Sequence, residues 1–145
     1  MATSTILSGA TCTIAGGTLG AAVDVSDQLQ SLVLTQAYDE LEKTSLADSA
    51  RYYVKGLETN EVTLMMYNSF GSGEVEATLA AVIGKSDIVL VFTGTTSSSE
   101  TASNPEYTLT NCFLASTTPI NSAYGELSMV EVTFRGGTLT RDITP

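Results

Sequence analysis

Histidine is absent from all 145 residues. That removes imidazole acid–base chemistry, the Ser-His-Asp and Cys-His nucleophile systems, and the commonest metal ligand. Tryptophan is absent too, so no indole can stack on a sugar. Basic residues are scarce: 6 Lys and Arg stand against 16 Asp and Glu, for a net charge of −10. Nucleic-acid binders gain affinity by placing cations on phosphates, and this chain would repel DNA. The acidity reads either as simple solubility or as a surface that must not adhere to polyanions. Only two cysteines occur, Cys12 and Cys112, far apart in sequence. They are expected as buried reduced thiols, because nothing in their placement supports a disulfide. No basic segment leads into an apolar one at the start of the chain, and no window approaches about 18 apolar residues. Neither a signal peptide nor a membrane segment is expected, which implies folding in a reducing cytoplasm.

What is present is apolar and periodic. One domain is the natural expectation for this length, and a compact fold of this mass exposes roughly 7,000 Å² and buries about 68% of its chain surface. Hydrophobic residues make up 43%, mean hydropathy is +0.17, and only 15% of residues are charged. So short a chain cannot hide that much apolar surface alone, which points to partner subunits. Alternation with period two dominates. It predicts strands over 28–42, 51–57 (ending at Gly56), 61–70, 87–93 and 107–116. It also predicts a closing β-hairpin of 127–134 and 138–143 around Gly136-Gly137. Residues 43–50 and the Ser/Thr-rich 93–105 read as polar loops. One helix is expected after residue 72, capped by Ser72, with Glu74 and Glu76 in its first turn and Gly84 just past its end. Val75, Leu79, Val82 and Ile83 form its apolar stripe. Together these predict a mainly β fold, a β-sandwich or barrel of about seven or eight strands with one short flanking helix.

Four candidate chemistries fail on their spacing. FGSGEVE follows a strand and opens a helix, but Glu76 replaces the third glycine of a dinucleotide fingerprint and would repel pyrophosphate. Its glycines read as a tight turn. The carboxylates of Asp39-Glu40-Leu41-Glu42 could flank a glycosidic bond, but no tryptophan is present to stack on the sugar, and they read as a solvated strand face. DVSD at 24–27 lacks the spacing of an EF-hand loop. Tyr52-Tyr53 beside Arg51 and Lys55 could stack on bases, but adjacent aromatics on opposite strand faces read better as core plus interface. No catalytic residue, cofactor or metal is assigned, and the profile suits a building block better than an enzyme.

In order along the chain, VDVSDQLQSLVLT, DELEKTSLADSARYYVKGL, NEVTLMMYNSF, the short helix, NPEYTLTNCFLAS and SMVEVTFRGGTLTR resemble the tail tube (major tail) proteins of long-tailed bacteriophages. Those are similar to the tube-forming protein of type VI secretion systems. The likeness runs from about residue 20 onward and leaves 1–20 as an arm of undetermined structure on a single 1–145 domain.

The resemblance implies a virion protein whose six copies form a ring, with rings stacked into a conduit for DNA from capsid to host cell. It implies tape-measure and tail-end proteins as further partners, and DNA that passes through the lumen without specific binding. It implies that the long loop reaches the adjacent ring, here Lys43, Thr44, Ser45, Leu46, Asp48, Arg51 and Tyr52. Acidic residues on strands with an apolar opposite face become candidates for the lumen: Glu40, Glu42, Glu61 and Glu131. A head–tail connector or decoration protein is the alternative among assemblies. A ligand-binding β-sandwich module is the alternative from another class.

Overall fold

The computed structural model describes residues 9–95 and 100–144. Eight strands form one continuous antiparallel sheet: β1 (Thr11–Ala15), β2 (Val23–Asp24), β3 (Leu29–Glu42), β4 (Tyr53–Tyr67), β5 (Ile88–Thr93), β6 (Glu106–Leu114), β7 (Met129–Arg135) and β8 (Thr138–Asp142). One helix, α1, spans Val75–Val82. The mainly β fold with a single short helix is as expected from the sequence.

The sheet turns back on itself at β6. Glu106–Thr110 of this strand pair with β8, and on the other side β6 pairs with β5 as far as Cys112. Its last two residues, Phe113 and Leu114, pair instead with Arg135 and Phe134 of β7. The switch falls at Asn111, whose φ is +60°. Asparagine tolerates this left-handed conformation better than most residues. One half-sheet is therefore β2-β1-β5-β6-β8, and the other is β3-β4-β7 with the end of β6. Their inner faces bury a single core: Cys12, Ile14, Leu90 and Phe92 from the first half, Leu64, Met66, Val132 and Phe134 from the second. Val75, Leu79 and Val82 of α1 enter the same core, as their spacing predicts.

Three expectations need correction. The closing segment is not a hairpin. β7 pairs with β4 and β6, whereas β8 pairs with β6 in the other half-sheet, so Gly136-Gly137 carries the chain from one half-sheet to the other. Period-two alternation reports which faces are buried and does not say which strand is the neighbour. Ser72 does not cap α1. Glu74 holds the cap position without a side-chain bond, and Ser69, two residues past the end of β4, accepts the helix N–H groups instead: Oγ from Val75 N at 3.2 Å, and the carbonyl from Glu76 N at 3.1 Å. Gly56 does not end a strand; β4 runs straight through it. Strand β5 lies centrally between β1 and β6, but only Ile88, Leu90 and Phe92 are fully buried, with Val89, Val91 and Thr93 half-buried on the outer face.

Strand β1 lies in the N-terminal region that carried no assignment, with Cys12 and Ile14 fully buried. Both cysteines are free. Burial pushes the Cys12 thiol up to about 12, helped by the nearby charges of Asp24 and Cys112, and pushes the Cys112 thiol up to about 11. Neither is a ready nucleophile. Four residues of the Ser/Thr-rich loop, 96–99, and the first eight of the N-terminal arm lie outside the described residues.

The two glycines after β7 make different demands. Gly136 and Gly137 both have φ of +82°. A Cβ on Gly136 would meet nothing within 4 Å, whereas one on Gly137 would sit 2.2 Å from the Thr110 carbonyl oxygen. Gly136→Ala is therefore expected to cost about 1–2 kcal/mol, for conformation alone. Gly137→Ala should cost about 3 kcal/mol or more, because displaced backbone is added. Urea denaturation of the two variants checks this, and equal losses would show that the Gly137–Thr110 approach can relax.

Candidate assembly surfaces

The feature that departs furthest from a compact sandwich is the β3–β4 pair. The two strands stay paired from Leu32↔Leu64 out to Glu42↔Tyr53, with one shift of register between Tyr38 and Glu40. Only their first half packs on the core. Beyond Thr35 nearly every side chain of β3 is exposed, and so is β4 at residues 53–55. The pair therefore forms an arm projecting from the body. The whole chain exposes 9291 Å², well above the roughly 7,000 Å² of a compact protein of this mass.

The arm ends in the segment 43–52. Lys43 N donates to the Tyr52 carbonyl at 2.9 Å, and Tyr52 N donates to Thr44 Oγ1 at 2.9 Å. Asp48 Oδ2 accepts from Ser45 N at 2.7 Å, and Asp48 N donates back to the Ser45 carbonyl. The tip is thus a hydrogen-bonded turn. Leu46 stands at its apex with no cover (109% relative exposure), and Tyr52, Tyr53, Leu41 and Leu57 are exposed along the arm. Arg51 is exposed beside them. All seven residues assigned to the stacking loop lie at this tip.

The acidic candidates separate into two groups. Directly paired residues share a face. Glu61 pairs with Arg135, Thr63 with Thr133 and Met65 with Glu131, so Glu61 and Glu131 lie on one outer face, together with Val33, Thr35 and Phe113. Glu61 and Arg135 form an exposed ion pair at 3.5 Å, of a kind worth little to stability. Glu40 and Glu42 lie on the other face. Between Tyr38↔Glu58 and Glu40↔Lys55, β4 carries one residue more than β3, a bulge at Gly56-Leu57. Past it, the residues opposite Glu40 and Glu42 are Lys55 and Tyr53, on the side of Tyr38 and Glu58. Lys55 Nζ lies 5.1 Å from the centre of the Tyr38 ring, which fixes that side. Asp39 takes the outer position instead. Its Cβ would be 2.8 Å from a Cβ on Gly56, so glycine permits the close approach. Alternation within β3 separates the groups, since Glu40 and Glu42 follow Leu32, Leu34 and Tyr38 on one side; the bulge, marked by a glycine inside an alternating run, decides only which β4 residues stand opposite them.

A polar network holds the root of the arm. Asn60 is fully buried; its Nδ2 donates to the Gly137 carbonyl at 3.1 Å and to Glu58 Oε1 at 2.9 Å. Glu58 Oε1 also accepts from Gln36 Nε2 at 3.0 Å and from Leu139 N at 3.2 Å. Gly136 N donates to the Asn60 carbonyl at 3.0 Å. The arm is thereby tied to the crossover between the half-sheets. Among the described residues there is no cluster of His, Cys, Asp and Glu that could hold a metal, and no helix is long and apolar enough to cross a membrane.

The fold recurs in large secretion and tail-like assemblies. A chain in the 6-fold-symmetrised baseplate structure of the anti-feeding prophage superposes with a TM-score of 0.66, covering 97% of each chain at 8% identity. A chain in the sheath/tube terminator of an extracellular contractile injection system, in its extended state, gives 0.65, covering 97% of this chain and 98% of that one at 12% identity. A chain in the anti-feeding prophage tube-terminating cap gives 0.64, over 99% and 95%, at 12% identity. No protein-family model and no curated protein matches the sequence. At these identities the likeness is one of fold.

The Asn60 network makes a pH prediction. Hydrogen bonds from Asn60, then Gln36, then the Leu139 amide hold the Glu58 carboxyl below its ordinary value. A carboxylate depressed in the folded chain adds stability that is complete above its unfolded pKa and is lost as pH falls through the folded one. Glu58→Gln should therefore show a shallower loss of thermal stability than the natural chain on acidification below about pH 4.3. Parallel acid limbs in the two melting series would show that Glu58 has no such part.

Proposed function

We propose that this chain is a non-enzymatic structural subunit of a phage-type tail or related injection tube, built into rings of six that stack into a conduit for DNA. The observation that carries the reading is a complete fold match to chains of such assemblies, combined with a sandwich that leaves one half-sheet open at both sides. β3 is an unpaired edge of 14 residues. On the opposite side the half-sheet ends at Phe113 and Leu114 of β6, and residues 115–118, which follow them, pair with no strand among the described residues. Free edges invite pairing, and a closed ring of copies removes them. Joining β3 of one copy to the 115–118 edge of the next would make the half-sheets into one continuous wall.

In that ring the outer face of β3, β4 and β7 becomes the bore. It presents Thr35, Thr63 and Thr133 with three carboxylates, Asp39, Glu61 and Glu131, against one guanidinium, Arg135. Glu61 occupies Arg135, so no free cation ladder is offered to phosphate. Copies of Glu131 would face a space comparable to the Debye length of about 8 Å, where screening is incomplete. DNA then slides without being held. Glu40 and Glu42, on the opposite face of the arm, contribute to contacts between subunits. The arm tip reaches the adjacent ring, tape-measure and tail-end proteins complete the particle, and the chain resides in the virion tail after folding in the host cytoplasm. The terminator and cap assemblies that contain this fold support a second reading, a subunit that ends a tube and does not propagate it.

Electron microscopy of the purified protein separates these readings: long tubes favour the first and isolated rings the second, while lone small particles under all conditions would sink both. Deleting 44–49 should leave the body folded, with rings but no stacks; normal-length tubes from that variant would remove the tip from stacking. Glu131→Lys, once assembled, should retain DNA in the bore and deliver it poorly. An assembled structure with Glu131 on the outside would end the charge argument for this residue.

A further inference from the structure

The end of the molecule opposite the arm tip has the complementary chemistry. From Tyr53 at the tip, β4 runs to Tyr67, about 45 Å away at the strand rise. There Asn68 Nδ2 donates to the Pro119 carbonyl at 3.0 Å, and Asn68 N donates to the Ser128 carbonyl at 2.9 Å. These bonds, with the Ser69 contacts to α1, gather residues 68–76 and 117–128 into one end. Phe70, Ile120, Tyr124 and Leu127 stand exposed on it, at 64%, 77%, 107% and 77%. Between α1 and residues 117–119 a cavity of about 190 Å³ opens, walled by Leu79, Ala80, Ile83 and Pro119. Apolar cavities of about 150 Å³ already accept a benzene ring.

Charge is partly matched as well. The tip, residues 43–52, carries Lys43 and Arg51 against Asp48, with Glu40 and Glu42 below it on β3. Residues 68–76 and 117–128 contain Glu74, Glu76 and Glu126 and no Lys or Arg. In a chain of net charge −10, two cations at an apolar tip and an acidic apolar end with none sit at opposite ends of one strand.

We propose that this end is the seat for the arm tip of a second copy in the adjacent ring. Leu46 enters the cavity beside Pro119, and Lys43 and Arg51 face Glu76 and Glu126. The contact is head-to-tail, so it does not close on itself and continues along an axis. The inference rests on the stacking reading above and names its receiving surface.

The test is a chain carrying both Leu46→Cys and Ile120→Cys. Both positions are exposed, whereas the natural cysteines are buried. Mild oxidation of assembled material should give a ladder of covalent multimers on denaturing gels, with neither single variant producing it. In parallel, Glu76→Lys with Glu126→Lys should yield rings that do not stack, and adding Lys43→Glu with Arg51→Glu should restore tubes. Stacked rings that give no 46–120 crosslink, or unimpaired stacking by the Glu76/Glu126 variant, would overturn the seat while leaving the stacking reading intact. A natural chain that never stacks would overturn both. Thermal melts of each variant, with Glu76 half-buried and the other positions exposed, show that the comparison is between folded proteins.

Discussion

The fold depends on one strand belonging to two half-sheets. β6 gives its first residues to β5 and β8 and its last two to β7, and it does so by reversing its backbone at a single asparagine. Without that reversal β7 and β8 could not stand on opposite halves, and the inner faces would not meet around Phe134, Leu109 and Leu114. The place is tight: Gly137 passes so close to the Thr110 carbonyl that any side chain would intrude. Close packing at a corner converts a flexible dipeptide into a fixed geometry.

The arm inherits its direction from the same corner. Asn60 lies between the arm and the crossover and bonds to both, so the arm's root is braced by one fully buried side chain. Buried polar networks of this kind are costly if broken and orienting if satisfied. A projecting two-stranded ribbon would otherwise be marginal. Here rigidity at the root is combined with unburied apolar side chains at the tip, a composition that gains most when another surface covers it.

Much of this was legible in the residues. The strands showed as alternation, the helix as a stripe of Val75, Leu79 and Val82 ended by Gly84, and the turn between β3 and β4 as a polar stretch closed by aromatics. Partners were not legible. ELSMVEVTFRGGTLTR reads as a hairpin because a glycine pair between alternating runs is a strong local sign, and only long-range pairing reveals that the runs part. The cap was misread because Ser69, which does the capping, lies two residues past the end of β4 and ahead of the glycine turn, six residues before the helix begins at Val75. Glu40 and Glu42 were grouped with Glu61 and Glu131 because each was judged exposed on its own strand, whereas only the pairing of Thr35 with Glu61 shows that the even-numbered residues of β3 take the other side.

The bulge in β4 has a consequence for what the arm can tolerate. The extra residue at Gly56-Leu57 is taken up locally: beyond it Glu40 faces Lys55, Leu41 faces Val54 and Glu42 faces Tyr53, an ordinary antiparallel ladder. Removing one of the two bulged residues would close the gap opposite Asp39 and leave each of those pairs, and the side each residue takes, as it is. The bulge thus acts as an expansion joint, at which the strand changes length by one residue while the charges of the distal arm keep their places.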